Sequence, residues 1–225
     1  MGELAVPVHD AAAAALDRGV MIFGGGSAAP TSIVQQVGLD GVARVIGNLP
    51  TARADLSAIA IGSSAIVLGG GASGELGRDV LVTEDGGHFR VVATLAIGVR
   101  YAAVTQTGGM IYVIGGAGKA GETADIQRID IATGRVEVIG EMPNPISHSS
   151  AVVIAGRMFV VGGRSAGVAQ DAIWQLDVVT GATQVVGRLP QAASDFAVAV
   201  MAGVGYAIGG ETDVQIASIV AIVVA

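Results

Sequence analysis

Cysteine is absent from the 225 residues, which excludes disulfides, thiolate nucleophiles and cysteine-held metals and leaves the redox compartment open. Lysine is nearly absent too. Lys119 stands alone beside eleven arginines, a mark of nucleotide composition, as in high-GC bacteria, rather than of chemistry. Charge is sparse: 14% of the residues carry one, with twelve cations against nineteen anions and a net charge of −7. A protein that tracks phosphates needs a basic face, so nucleic acid is excluded as a partner. Aromatic residues are few as well, Trp174 with three tyrosines and four phenylalanines. The core therefore has to be built from Val, Ile, Ala and Leu.

What is present is apolar and rich in glycine. Apolar residues make up 52% and glycines number 35, which excludes a disordered solvating chain and points to many tight turns. A mean hydropathy of +0.66 raises the question of a membrane span. Residues 56–74 are uncharged and numerous enough to cross a bilayer. They read LSAIAIGSSAIVLGGGASG, however, broken by Gly-Ser-Ser and ended by three glycines, which suits two short strands around a turn. No membrane insertion is expected. Met1-Gly2-Glu3 lacks the basic start and apolar segment of a secretory leader. The chain opens in mid-repeat, as a piece of a longer protein would.

Self-similarity organises the rest. An apolar run ending in two glycines occurs as VMIFGG (20–25), AIVLGG (65–70), IYVIGG (111–116), MFVVGG (158–163) and GYAIGG (205–210). The first glycines fall at 24, 69, 115, 162 and 209, a period of 45 to 47 residues. A second mark precedes each run in constant phase: LAVPVHDAA from Leu4, LPTARADLS from Leu49, LAIGVRYAA from Leu95, MPNPISHSS from Met142 and LPQAASDFA from Leu189. The units run over about 10–54, 55–100, 101–147, 148–194 and 195–225, the last with 1–9.

Each unit divides into four short strands, a to d. In the fourth, the pattern predicts strands at 148–154, 158–161, 173–178 and 183–186, separated by Ala155-Gly156, a longer loop opened by Gly162-Gly163, and Val179-Thr180-Gly181. Strands a and b are apolar on nearly every residue, as strands buried on both faces are. A sheet of this size cannot bury both faces alone. Radial stacking of five such sheets does, which predicts an all-β fold, a single β-propeller domain of five four-stranded blades. The last unit has no fourth strand after 216–224. Residues 3–7 align with the end of such a strand and are expected either to complete the last blade or to leave it open.

The IYVIGG run, the turn Asp130-Ile-Ala-Thr-Gly134 with its counterpart Asp177-Val-Val-Thr-Gly181, and the LP lead-in to strand a resemble the kelch repeat. The resemblance covers essentially the whole chain and implies the propeller fold, while it fixes the function hardly at all. It departs from the family where Val138 and Val186 stand near the usual strand-d tryptophan. The alanine-rich, lysine-poor style is similar to that of bacterial kelch proteins, many of them extracytoplasmic.

Loops d–a and b–c share one end of the sheets, the docking surface of kelch modules. In register they give three rings. The first is Val8, Arg53, Val99, Ile146 and Ala193; the second is His9, Ala54, Arg100, Ser147 and Ser194. The third, Asp10, Asp55, Tyr101, His148 and Asp195, is polar in every copy. These residues, with His9, Arg53 and Arg100, are the candidate ligand-binding set; the competing reading is that the ring merely satisfies backbone groups between blades. The resemblance places a ligand-gripping arginine at Arg53, and Arg100 beside it could share a carboxylate. Arg78, Lys119, Glu122 and Arg164 lie on the b–c loops.

The leading expectation is a non-enzymatic recognition or scaffold propeller for a protein or small ligand, without cofactor or metal. Two rivals stand beside it: a carbohydrate- or small-molecule-acting enzyme, epimerase- or lyase-like, at the channel mouth, and a repeat chain assembled without retained function. A galactose-oxidase-like copper site fails for want of cysteine. Gly116-Ala-Gly118-Lys-Ala-Gly121 fits G-x-G-x-x-G but precedes a strand, not a helix, and no serine occupies a G-x-S-x-G elbow. Self-association through the ends of an open ring is also expected.

Overall fold

A computed structural model describes residues 2–224, and every helix or strand among them is a strand. Two compact units form. One holds the residues up to Tyr101 with Ile131–Val136; the other holds Ala102–Asp130 and the residues from Glu137 on.

The first unit contains two sheets. In the first, β1 (Ala12–Leu16), β2 (Gly19–Phe23), β3 (Ile33–Gly38) and β4 (Ala43–Asn48) pair in sequence order, all antiparallel. The second runs β5 (Ala54–Ile61), β6 (Ser64–Ala72), then past the two-residue β7 (Glu75–Leu76), which pairs with β6, to β8 (Asp79–Thr83) and β9 (Arg90–Thr94). Phe23 and Val34 of one sheet pack against Leu56, Val67 and Leu81 of the other in one buried cluster. Each such side chain contributes about 1.5–3 kcal/mol by leaving water.

The second unit repeats the pattern. The third sheet is β10 (Ala103–Thr107), β11 (Met110–Ile114), β14 (Asp125–Asp130) and β15 (Arg135–Glu141), with the ribbon β12–β13 (Ala117–Gly118, Gly121–Glu122) in its b–c loop. The fourth is β16 (Ser150–Ile154), β17 (Arg157–Val161), β20 (Ala172–Leu176) and β21 (Thr183–Arg188), with the ribbon β18–β19 (Arg164–Ser165, Val168–Ala169). The fifth has β22 (Ala197–Met201), β23 (Val204–Ile208) and β24 (Ile219–Ile222). Tyr112, Ile126 and Met142 pack with Val160 and Trp174, and Ile154, Phe159 and Ile173 with Phe196, Ala207 and Ile222. Neighbouring sheets thus hide each other's apolar faces, as the repeat requires. The four strands expected in the fourth repeat all occur, displaced by two residues at most.

The double glycine fixes how one sheet meets the next. Gly163 N donates to Ala193 O at 2.8 Å, and Gly25, Gly70 and Gly116 make the same bond to Arg53, Val99 and Ile146. Both glycines of the pair Gly162-Gly163 have positive φ. A Cβ on Gly162 would lie 2.5 Å from Ala193 O and 2.8 Å from the Phe196 ring. Only glycine combines that conformation with that approach.

The fifth sheet ends at its third strand. Residues 3–7 form no strand; the buried amide of Gln35 on β3 holds them instead. Val6 N donates to Gln35 Oε1 at 2.7 Å, and Gln35 Nε2 donates to Val6 O at 2.9 Å. Of the two expectations for the last blade, the described residues give the open one.

Candidate functional site

All five residues of the third ring adopt the left-handed backbone conformation: Asp10, Asp55, Tyr101, His148 and Asp195 have φ of 54, 60, 55, 54 and 57°. Short polar side chains such as Asp and His tolerate this region, whereas a bulky tyrosine there is strained. In three of the five, the backbone N–H bonds the preceding ring residue. Asp55 N donates to Asp10 O at 2.9 Å and Tyr101 N to Asp55 O at 3.1 Å in the first unit; Asp195 N donates to His148 O at 3.1 Å in the second. The ring therefore serves the backbone through its main chain and leaves its side chains for other contacts.

In the first unit these side chains form a group. The Tyr101 hydroxyl bonds the Asp55 carboxylate, and burial together with that bond pushes the phenol up to about 12. Arg100 Nη1 lies 3.5 Å from Asp55 Oδ2, with its guanidinium carbon 5.3 Å from the centre of the Tyr101 ring. Arg100 stays half exposed, whereas Asp55 is mostly covered. On the neighbouring lead-in, His9 Nδ1 lies 2.6 Å from Asp10 Oδ2 and Nε2 lies 3.2 Å from Ser27 O. With an acceptor at each ring nitrogen, the Asp10 bond first, the imidazolium form of His9 is favoured and its pKa rises.

Arg53 does not join this group. It is 3% exposed, with Nη1 donating to Gly69 O and Asp79 O at 3.4 and 3.2 Å and Nε donating to Thr51 Oγ1 at 3.1 Å. Burial lowers its pKa, partly offset by Asp79. Its Nε and Nη1 serve the second sheet and the loop that leads into it, and its burial keeps it from sharing a carboxylate with the half-exposed Arg100. Arg78 stays exposed, with its Nε donating to Leu95 O at 2.7 Å.

The second unit builds a different group from His148, Asp195 and the b–c loops. The hydroxyl of buried Ser147 donates to Glu122 Oε1 at 2.7 Å and lies 2.8 Å from His148 Nδ1. A hydroxyl has one proton, so His148 donates to Ser147 through Nδ1–H. Glu122 Oε2 accepts from Ala166 N at 2.7 Å. Arg164 donates from Nε to Ser194 Oγ at 3.0 Å and from Nη2 to Glu211 Oε1 and Thr212 O at 3.0 and 3.1 Å. Asp195 stands 3.8 Å from Arg164 and 4.0 Å from His148 Nε2. Two carboxylates, Asp195 and Glu211, thus flank one guanidinium, and a third, Glu122, holds the neighbouring Ser147. Ser147, shut from solvent and already donating to Glu122, is not presented as a nucleophile.

Glu211 was not among the sequence candidates. It follows Gly209-Gly210 just as Arg164 follows Gly162-Gly163, and reading the residue after each glycine pair would have found it. Among the described residues no group of three or more His, Cys, Asp or Glu side chains is placed to share a metal ion. No helix among them is long and apolar enough to cross a membrane.

Residues 145–182 match the Kelch motif family model. The chain superposes on the solved structure of YjhT with a TM-score of 0.86 at 16% identity, over 97% of this chain and 82% of that one. This likeness shows the β-propeller fold. No curated protein matches the chain in sequence.

Proposed function

We propose that this chain, a kelch-repeat β-propeller, is a recognition module that binds a polar protein segment or small ligand at its d–a and b–c loops. The fold is consistent with a binding or scaffold role. The observation that carries the finer reading is the repeated left-handed residue ahead of strand a. Left-handed residues other than glycine persist only where the surrounding structure holds them, and such residues cluster at binding sites.

The groups differ in what they would hold. Arg100, with part of its guanidinium open beside Asp55 and Tyr101, offers donors and an aromatic face to a hydrogen-bonding group. The group around Arg164 carries more carboxylates than cations and suits a cationic or donor-rich partner. A carboxylate clamp of two arginines is not part of the proposal, because Arg53 is committed to the second sheet.

A thermal-shift panel of peptides and small polar compounds tests the reading. Ligands that stabilise the chain should lose that effect in Arg100→Ala, Tyr101→Phe or His148→Ala. They should keep it in Arg157→Ala, which alters the a–b turn of the fourth sheet. A ligand indifferent to the first three variants would put recognition elsewhere.

A further inference from the structure

In the second sheet, the end of the strands opposite the d–a and b–c loops carries a cavity of its own. It has a volume of about 320 Å³ and lies between Ser64, at the start of β6, and the c–d turn that joins β8 to β9. Glu84 and Arg90 both line it. Their charges are opposite, yet among the described residues neither side chain has a hydrogen-bond or ion-pair partner. Arg90 faces Val82 across the β8–β9 ladder and Glu84 stands two residues beyond Val82, so the two charges border one hollow. The c–d turn of the first sheet treats such a pair differently: there Arg44 Nη2 donates to Asp40 Oδ2 at 2.9 Å. Single solvated charges are ordinary on a surface. Two of opposite sign, held apart across a cavity, are what a ligand bearing both charges would meet.

The rest of the lining says what such a ligand is. His88 Nδ1 is taken by Asp85 Oδ2 at 2.7 Å, which leaves Nε2 to accept from an ammonium when neutral or to donate to a carboxylate when protonated. The Ser64 hydroxyl is likewise unbonded among the described residues. Val82 and Phe89 give the cavity an apolar wall, and the Phe89 ring is set edge-on to Phe23, with centroids 6.4 Å apart. A carboxylate suits Arg90, whose fork can take both oxygens. An ammonium suits Glu84, and an apolar side chain gains by covering Val82 and Phe89. A peptide carries its free ammonium and free carboxylate at opposite ends. A free α-amino acid carries both on one carbon, within the span of a cavity this small.

We propose that this cavity is a second binding site, separate from the d–a and b–c loops, which takes a free α-amino acid with an apolar side chain, its ammonium on Glu84 and its carboxylate on Arg90. Calorimetric titration of the full chain with leucine, leucinamide and N-acetylleucine tests it. Leucine should bind. The amide lacks the carboxylate and the acetylated form lacks the ammonium, so each should bind at least about tenfold more weakly. Glu84→Gln and Arg90→Gln should weaken leucine binding by a similar factor, whereas Arg157→Ala, in the a–b turn of the fourth sheet, should leave it unchanged. Glu84 and Arg90 are exposed, and circular dichroism should show the same strand content in every variant. No binding of leucine would overturn the proposal, as would equal binding of the three compounds. So would Glu84 and Arg90 variants that fold and bind leucine as the unaltered chain does. Should a variant fail to fold, the comparison of the three compounds on the unaltered chain still decides.

Discussion

Arg53 and Tyr101, two repeat positions apart, show opposite uses of a polar side chain. Arg53 is sunk into the second sheet, where it satisfies Gly69 O, Asp79 O and Thr51 Oγ1. Arg53→Met leaves those acceptors buried without their donors, and is expected to cost about 2–4 kcal/mol in denaturant unfolding. Arg53→Lys should recover only part, since one ammonium cannot reproduce the guanidinium fork. Tyr101 reports on pH. Its phenol is raised to about 12 by burial first and by the Asp55 bond second, so the folded chain holds the proton more tightly than the unfolded chain, where tyrosine ionises near 10. The contribution to stability is complete below about pH 10 and is lost as pH rises toward 12. Ultraviolet titration should find Tyr101 ionising at about that upper value, and Asp55→Asn should lower it without returning it to the ordinary value, because burial persists.

The double glycine is the element on which the repeat turns, and its two jobs are separable by substitution. Gly162→Ala places a methyl 2.5 Å from Ala193 O in a left-handed residue; a loss of about 2–4 kcal/mol is expected, with the contact between the fourth and fifth sheets disturbed. Gly156→Ala has the same hand of φ, but nothing lies within 4 Å of the added carbon, so only the conformational cost of about 1 kcal/mol should appear. Equal losses at the two sites would refute a steric role for Gly162. This element was legible in the sequence because glycine is chosen by backbone geometry, which recurs in every copy. The third ring was legible for the same reason. Side-chain depth was not: register placed Arg53 at the head of a loop, but only the packing of Gly69, Gly77 and Asp79 around it decided that it points inward. Residues 3–7 carried the register of a fourth strand, yet Gln35 offers Val6 both a donor and an acceptor, and that local bond decides where the segment lies.

Taken as a whole molecule, the chain gains stability from sheets that cover their neighbours, so a sheet lacking a strand should be its loosest part. The fourth and fifth sheets belong to one compact unit and share a core, which makes them a fair internal comparison. β17 is buried at four of its five residues and is flanked by β16 and β20, with β21 beyond. β23 is buried at only two, and its outer neighbour β24 has no strand beyond it among the described residues. Amide exchange tracks such local opening. In dilute protein the amides of β23 and β24 should exchange well before those of β17 and β20. Exchange as slow in β24 as in β20 would mean that the fifth sheet is held as firmly as the fourth, and the argument from its shallower burial would fail.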